Sequence, residues 1–305
     1  MSVDEVGQRR NRPAQSLSSS EAHTPVVSLC GITILICEIE GLLGAMADFS
    51  VNCSALFADE DVALRPRRAR AAGFGAVEFY WPFRGALPTD AEFSTLLAAV
   101  DVADVSLTAI DLTTRTAARS LWEDPSLCRL YRASCDIAFG IGSALGTTTF
   151  TAAYRFHDET HVGDTLSVVA ANIGYAAQVM AHINADIVVD PLDGAQSWDA
   201  TMSAIALVDR VRAEFDVDNV LVSANVDHRA VSCEDVVNLV AARADRVGHV
   251  RITRMPELPA LGCNIPDVAR FAARLAQSGY EGQIALAYKG QVGDPFWWIP
   301  RSQRA

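Results

Sequence analysis

From Asp48 onward the chain alternates between short apolar runs and longer stretches in which apolar positions recur at helical spacing. The runs are FSVNC from residue 49, GAVEF from 75, DVSLTAI from 104 and TTTFTAA from 147. They continue with ADIVVD from 185, NVLVSAN from 219, HVRIT from 249 and QIALAY from 283. Between them lie AEFSTLLAAVDVA, DTLSVVAANIGYAAQVMAHI, DATMSAIALVDRVRAEF, CEDVVNLVAARADRV and PDVARFAARLAQSGY, rich in Ala, Leu and Arg. Strands that alternate with helices of this length predict a parallel sheet joined by crossover helices. Ser232 and Asn264 stand just before two of the helical stretches, where a short polar side chain caps free amides.

Eight such units in about 250 residues predict an α/β protein, a (β/α)8 TIM barrel whose eight parallel strands close into one sheet. The alternative is an open nucleotide-binding sheet, and the glycines argue against it. No G-x-G-x-x-G follows a strand, and GIGSALG at 140–146 sits late in a helix instead of opening one.

The start of the chain breaks the pattern. MSVDEVGQRRNRPAQSLSSSEAHTP is polar and low in complexity, and VVSLCGITILIC is a sudden apolar run. With Ala45-Met46-Ala47 downstream it imitates a signal peptide, but Glu38 and Glu40 interrupt the segment. The apolar run is also too short to span a bilayer. Met46 leads directly into the first strand. Residues 46–305 are therefore expected to form the barrel and residues 1–45 an N-terminal extension, either upstream of a natural start at Met46 or a poorly ordered native segment.

Composition narrows the partners. A net charge of −12 argues against a nucleic-acid backbone, which needs clustered Lys and Arg. Seven scattered cysteines form no CxxC pair, so free thiols and a cytoplasmic location are expected. No membrane partner is expected. FWWIP near residue 296 reads as packing for the last helix or as a contact between two copies in a homo-oligomer.

In such a barrel the chemistry sits at the C-terminal ends of the strands. Those ends offer Asn52 and Ser54, Glu78, Asp111, Thr149 and Thr151, Asp190, then Asn225 and His228, Arg251, and Lys289. An ordinary strand cap supplies less convergent polarity than this.

FSVNCSALFADEDVALRPRRARAAGFGAVEFYWPF, with its A-G-F-x-x-V-E-F-x-x-P-F core, resembles the opening of the hydroxypyruvate isomerase branch of the xylose-isomerase-like sugar isomerases and epimerases. The likeness continues in register through ADIVVDPLDG, VLVSANVDH, HVRITRMPE and SGYEGQIALAYKG, as far as about residue 290. It implies a divalent metal held by Glu, Asp, Gln or His, and Glu on the fifth to eighth strands. Its first and last carboxylates would also move protons between adjacent carbons of an aldose–ketose pair. Those four positions are here Asp190, Asn225, Arg251 and Ala287.

A magnesium or manganese ion needs several oxygen ligands and at least two negative charges. Asp190 supplies one, Asn225 none, and Arg251 is permanently cationic. At about 4 Å its repulsion of the ion is worth several kcal/mol. The sequence therefore predicts no metal and no other cofactor. Either Arg251 fills the vacated position and pairs with Asp190, or the pocket is rebuilt for an anionic group. Loss of the eighth-strand carboxylate also removes half of the proton shuttle. A metal-free site is expected to use Asp190 as base, His228 as acid, and Arg251 or Lys289 to stabilise an oxyanion, with Asn225 and Glu78 contacting substrate. The expected ligand is a small carbonyl or hydroxy-acid compound. The competing expectation is a ligand- or partner-binding barrel in which the chemistry has decayed.

Overall fold

A computed structural model describes residues 49–112, 121, 124–154, 164–191, 198–227, 231–254, 268–289 and 293–304. The expected extension at 1–45, His228 and Asn264 lie outside them. The chain order is β1 (Phe49–Asn52), α1 (Cys53–Leu56), α2 (Arg65–Ala72), β2 (Ala76–Phe79), α3 (Asp90–Ala103) and β3 (Ser106–Asp111). Then come α4 (Cys128–Leu145), β4 (Thr149–Tyr154), α5 (Asp164–Ala181), β5 (Asp186–Pro191) and α6 (Trp198–Phe215). The described chain closes with β6 (Val220–Val226), α7 (Cys233–Arg243), β7 (Val247–Ile252), α8 (Val268–Gln277) and β8 (Ile284–Leu286). Each of the eight expected strands is present, and they form a closed parallel barrel in sequence order. The seam is made by β1 and β8, with Phe49 opposite Ile284 and Val51 opposite Leu286.

The alternation within a strand divides two environments. On β6, Val220, Val222, Ala224 and Val226 are buried in the apolar core, whereas Ser223 and Asn225 engage polar partners. Successive side chains of a strand point to opposite faces, so the second set lines the lumen. Two pairings slip by a residue, at Val77/Glu78 between β2 and β3 and at Val222/Ser223 between β6 and β7. Such irregularities re-aim the side chains beside them, here Glu78, Ser223 and Asn225.

The helices begin where their first residues dictate. Ser232 and Asp235 make a reciprocal capping box at α7, and Thr89 and Glu92 make another at α3. Gly142 of α4 explains part of the glycine-rich GIGSALG stretch. A Cβ there would stand 2.7 Å from both Ile183 Cδ1 and Phe150 Cζ, so the glycine lets α4 approach β4.

Among the described residues no regular helix follows β8. Residues 293–304 take that place, with a 3-10 turn at Arg301–Gln303. Phe296, Trp298 and Ile299 are buried, and the Phe296 ring lies 4.7 Å from that of Phe74. Part of FWWIP thus packs within the chain, with Phe296 against Phe74 just after α2. Arg301 Nη2 donates to Ala71 O and Arg304 Nη1 to Ala72 O, capping carbonyls at the end of α2. The described cysteines, Cys53, Cys128, Cys135 and Cys233, are free. Among the described residues no helix is long and apolar enough to cross a membrane.

Candidate active site

Of the residues expected at the strand ends, Glu78, Thr151, Asp190 and Asn225 gather around the guanidinium of Arg251. β7 carries it into the lumen, where it is only 2% exposed. Its Nη1 donates to Asp190 Oδ2 on β5 at 2.5 Å. Its Nη2 reaches Glu78 Oε2 on β2 at 3.5 Å and Thr151 Oγ1 on β4 at 3.4 Å. One side chain therefore spans the barrel from β7 to β2, β4 and β5. Space for it comes from β8, where Ala285 stands opposite Arg251 and Ala287 follows.

Asn225 completes the group. Its Nδ2 donates to Asp190 Oδ1 at 2.7 Å, and its Oδ1 accepts from Ser223 Oγ at 3.0 Å. The amide is what this geometry demands: a carboxylate at 225 would face Asp190 with no donor between them. Each Asp190 oxygen accepts one hydrogen bond from these two residues and keeps a further lone pair.

Beneath lies a second polar layer. Ser50 Oγ donates to Glu78 Oε1 at 3.1 Å, and His249 Nε2 lies 2.8 Å from the same oxygen, off the line of an aligned hydrogen bond. Burial alone would raise the Glu78 carboxyl, but the close approach of His249, the field of Arg251 and the hydrogen bond from Ser50 outweigh it, holding the group at about 2. For Arg251 too burial disfavours the charge, yet Asp190 and Glu78 overcome it and raise the guanidinium above its ordinary value. Arg251 Nε and Asn52 Nδ2 remain buried donors without a protein acceptor.

The structure thus brings Asp190, Asn225, Arg251 and Glu78 together. Lys289 is elsewhere: it is exposed and lines a cavity of about 680 Å3 with Phe57, Arg68, Asp294 and Phe296, a lining that includes none of the four. His228 lies outside the described residues, although its flanks, Asp227 and Val231, are bonded to each other at the end of β6. Sequence reasoning missed His249 and Ser50. Both stand two residues before a singled-out position, Arg251 and Asn52, and so on the same face of the strand.

The donor set does not fit a divalent cation as it stands. Of the four positions that the resemblance assigns to a metal, one is a carboxylate already bound to a guanidinium, one an amide donating to that carboxylate, one that guanidinium itself, and one Ala287, the residue after β8. Among the described residues no group of three or more His, Cys, Asp or Glu side chains is arranged to hold a metal.

Comparison with known proteins agrees with this architecture. Residues 66–302 match the family model described as xylose isomerase-like TIM barrel. A Streptomyces coelicolor protein named "Putative hydroxypyruvate isomerase" is 30% identical over 273 residues, covering 84% of this chain and 97% of its own. A Brucella melitensis structure described as AP endonuclease, family 2, superposes with a TM-score of 0.65 at 22% identity, over 83% of this chain and 98% of the other. The 3-keto-D-glucoside 4-epimerase of E. coli does so with 0.61 at 15% identity, over 84% and 97%. At such identities the two structures speak for the fold alone. With the family model and the Streptomyces relative both spanning most of the chain, this protein belongs to the xylose isomerase-like TIM barrel family.

Proposed function

We propose that the protein is an isomerase or epimerase of the hydroxypyruvate isomerase type that works without a divalent cation on a small hydroxy-carbonyl compound, a sugar or a hydroxy-acid. The observation that carries this reading is the Arg251 guanidinium, fixed between Asp190 and Glu78 at the position where the family resemblance calls for the metal. A preorganised cation in a water-poor lumen supplies positive charge near a developing enediolate, the electrostatic part of what a metal would do. Asp190 takes the proton from the carbon bearing the hydroxyl group, using a lone pair that neither Asn225 nor Arg251 occupies. His228 returns a proton to the neighbouring carbon while the hydroxyl proton passes to the former carbonyl oxygen, so that a carbonyl and an alcohol exchange places with no net change in atoms or electrons. Lys289, on its separate cavity, is proposed to serve as a solvated rim residue.

A second reading is favoured by the ion pair that the same carboxylate makes with Arg251. Asp190 already donates its charge to an ion pair, as expected of a barrel that binds a ligand without turning it over. A phosphodiester substrate, which the name of the Brucella structure brings to mind, is disfavoured by the net charge of −12.

The experiment is hydroxypyruvate to tartronate semialdehyde conversion, followed with chelator and with added magnesium or manganese. Turnover that chelator leaves unchanged and that Asp190→Asn abolishes is the expected result. Turnover only with added metal would overturn the metal-free reading. Ligand binding without turnover would select the second one.

A further inference from the structure

We infer that Asn52 is a further site residue: its side-chain amide nitrogen and Arg251 Nε form a two-donor cradle that holds the carbonyl oxygen of the substrate and the enediolate oxygen it becomes. The inference rests on the isomerase reading above and deepens it.

Asn52 ends β1 on the lumen face, which it shares with Ser50. Its Oδ1 is occupied, accepting from Ala55 N at 3.0 Å to cap α1. Its Nδ2 is buried with no acceptor among the described residues, and so is Arg251 Nε. A buried donor left unpaired is costly, and two in one lumen call for an acceptor that comes from outside the chain. Both stand beside Glu78. Asn52 is its register neighbour across β1 and β2, and Arg251 Nη2, which shares an edge of the planar guanidinium with Nε, reaches Glu78 Oε2 at 3.5 Å. The acceptors that Arg251 does use belong to β2, β4 and β5. On β8 and β1, which follow β7 round the barrel, Ala285 and Ala287 bring no polar side-chain atom and the Asn52 oxygen is taken by the cap. The two alanines also leave that wall open to a small ligand.

The cradle fits the proposed step. As Asp190 takes the proton, the electron pair of the broken C–H bond becomes the enediolate double bond and the carbonyl pair moves onto oxygen. The negative charge that leaves Asp190 thus reappears on the oxygen between Nδ2 and Nε, and the total charge of the lumen is unchanged. Two donors already in place gain a charged acceptor without reorganising, which favours the transition state over the bound substrate.

The test compares the native chain with Asn52→Ser and Asn52→Thr, which keep a capping oxygen and remove the amide nitrogen. Binding of glycolohydroxamate, a planar mimic of an enediolate, is measured by calorimetry in the presence of chelator, together with Tm and with kcat and KM for hydroxypyruvate. The native chain is expected to bind the mimic. The variants are expected to keep Tm within about 3 °C and to bind about tenfold more weakly. Their kcat should fall about 100-fold while KM changes little. Equal affinity in native chain and variants would overturn the inference. So would a native chain that binds no glycolohydroxamate, a raised KM with kcat intact, or loss of the folded state in both variants. An inactive native chain whose affinity for the mimic depends on Asn52 would remove the isomerase reading and keep the two-donor site. Chelator-insensitive turnover that both variants retain in full would do the reverse.

Discussion

At the residue scale, the lumen is governed by matching donors to carboxylates. Asn225 is the clearest case, because its Nδ2 is a donor at 2.7 Å from Asp190 where an acid would be a second acceptor. Asn225→Asp is therefore expected to cost about 3 kcal/mol at neutral pH, the scale on which a buried charge loses its partner. The loss should shrink on acidification, as the introduced carboxyl takes up a proton and becomes a donor; urea unfolding at two pH values checks both points. Glu78 carries a pH signature of its own. Its carboxyl sits at about 2 in the folded chain, against an ordinary 4.5, so its stabilising contribution is complete above 4.5 and is lost as pH falls from there toward 2. Native protein should accordingly lose more stability than Glu78→Gln across that window, with the gap between their unfolding free energies closing toward its acid end. Parallel curves would show that the Glu78 charge is not what its surroundings hold in place.

At the element scale, the strands were legible because each is a short apolar run bounded by polar or glycine positions, and the barrel followed from their regular alternation with helices. Asp190, Asn225 and Arg251 were legible as a group because the ends of parallel strands must meet. Whether Arg251 pairs with Asp190 or with a ligand was not legible: that depends on slips in pairing at Val77/Glu78 and Val222/Ser223, which leave no mark in composition. Nor did the pattern show that Lys289 would lie on another cavity, since no regular helix among the described residues follows β8 to fix its direction. His249 escaped notice for a related reason, as a histidine inside an apolar run looks like core until its face is known. Cap chemistry, by contrast, is local, and Ser232 performs as its position indicated. Ser232→Ala should cost about 1 kcal/mol, measured by chemical denaturation. Phe296→Ala, which empties a buried site against Phe74, should cost about 3 kcal/mol or more in the same experiment.

At the scale of the whole molecule, the polar lumen and the apolar shell play separate parts. The shell between strands and helices supplies the cohesion, while inside it Arg251 is held by Asp190 and Glu78. Extended dialysis against a chelator is thus expected to leave Tm and circular dichroism unchanged; a falling Tm would reveal a structural metal. The seam gives the molecule a further property. β1 pairs with β8, and Arg301 and Arg304 reach back to the end of α2, so residues at opposite ends of the described chain complete one another. In a chain made from its N-terminus, β1 therefore exists before the strand that completes its pairing, and its outer edge stays open to other strands until β8 is free to close the ring.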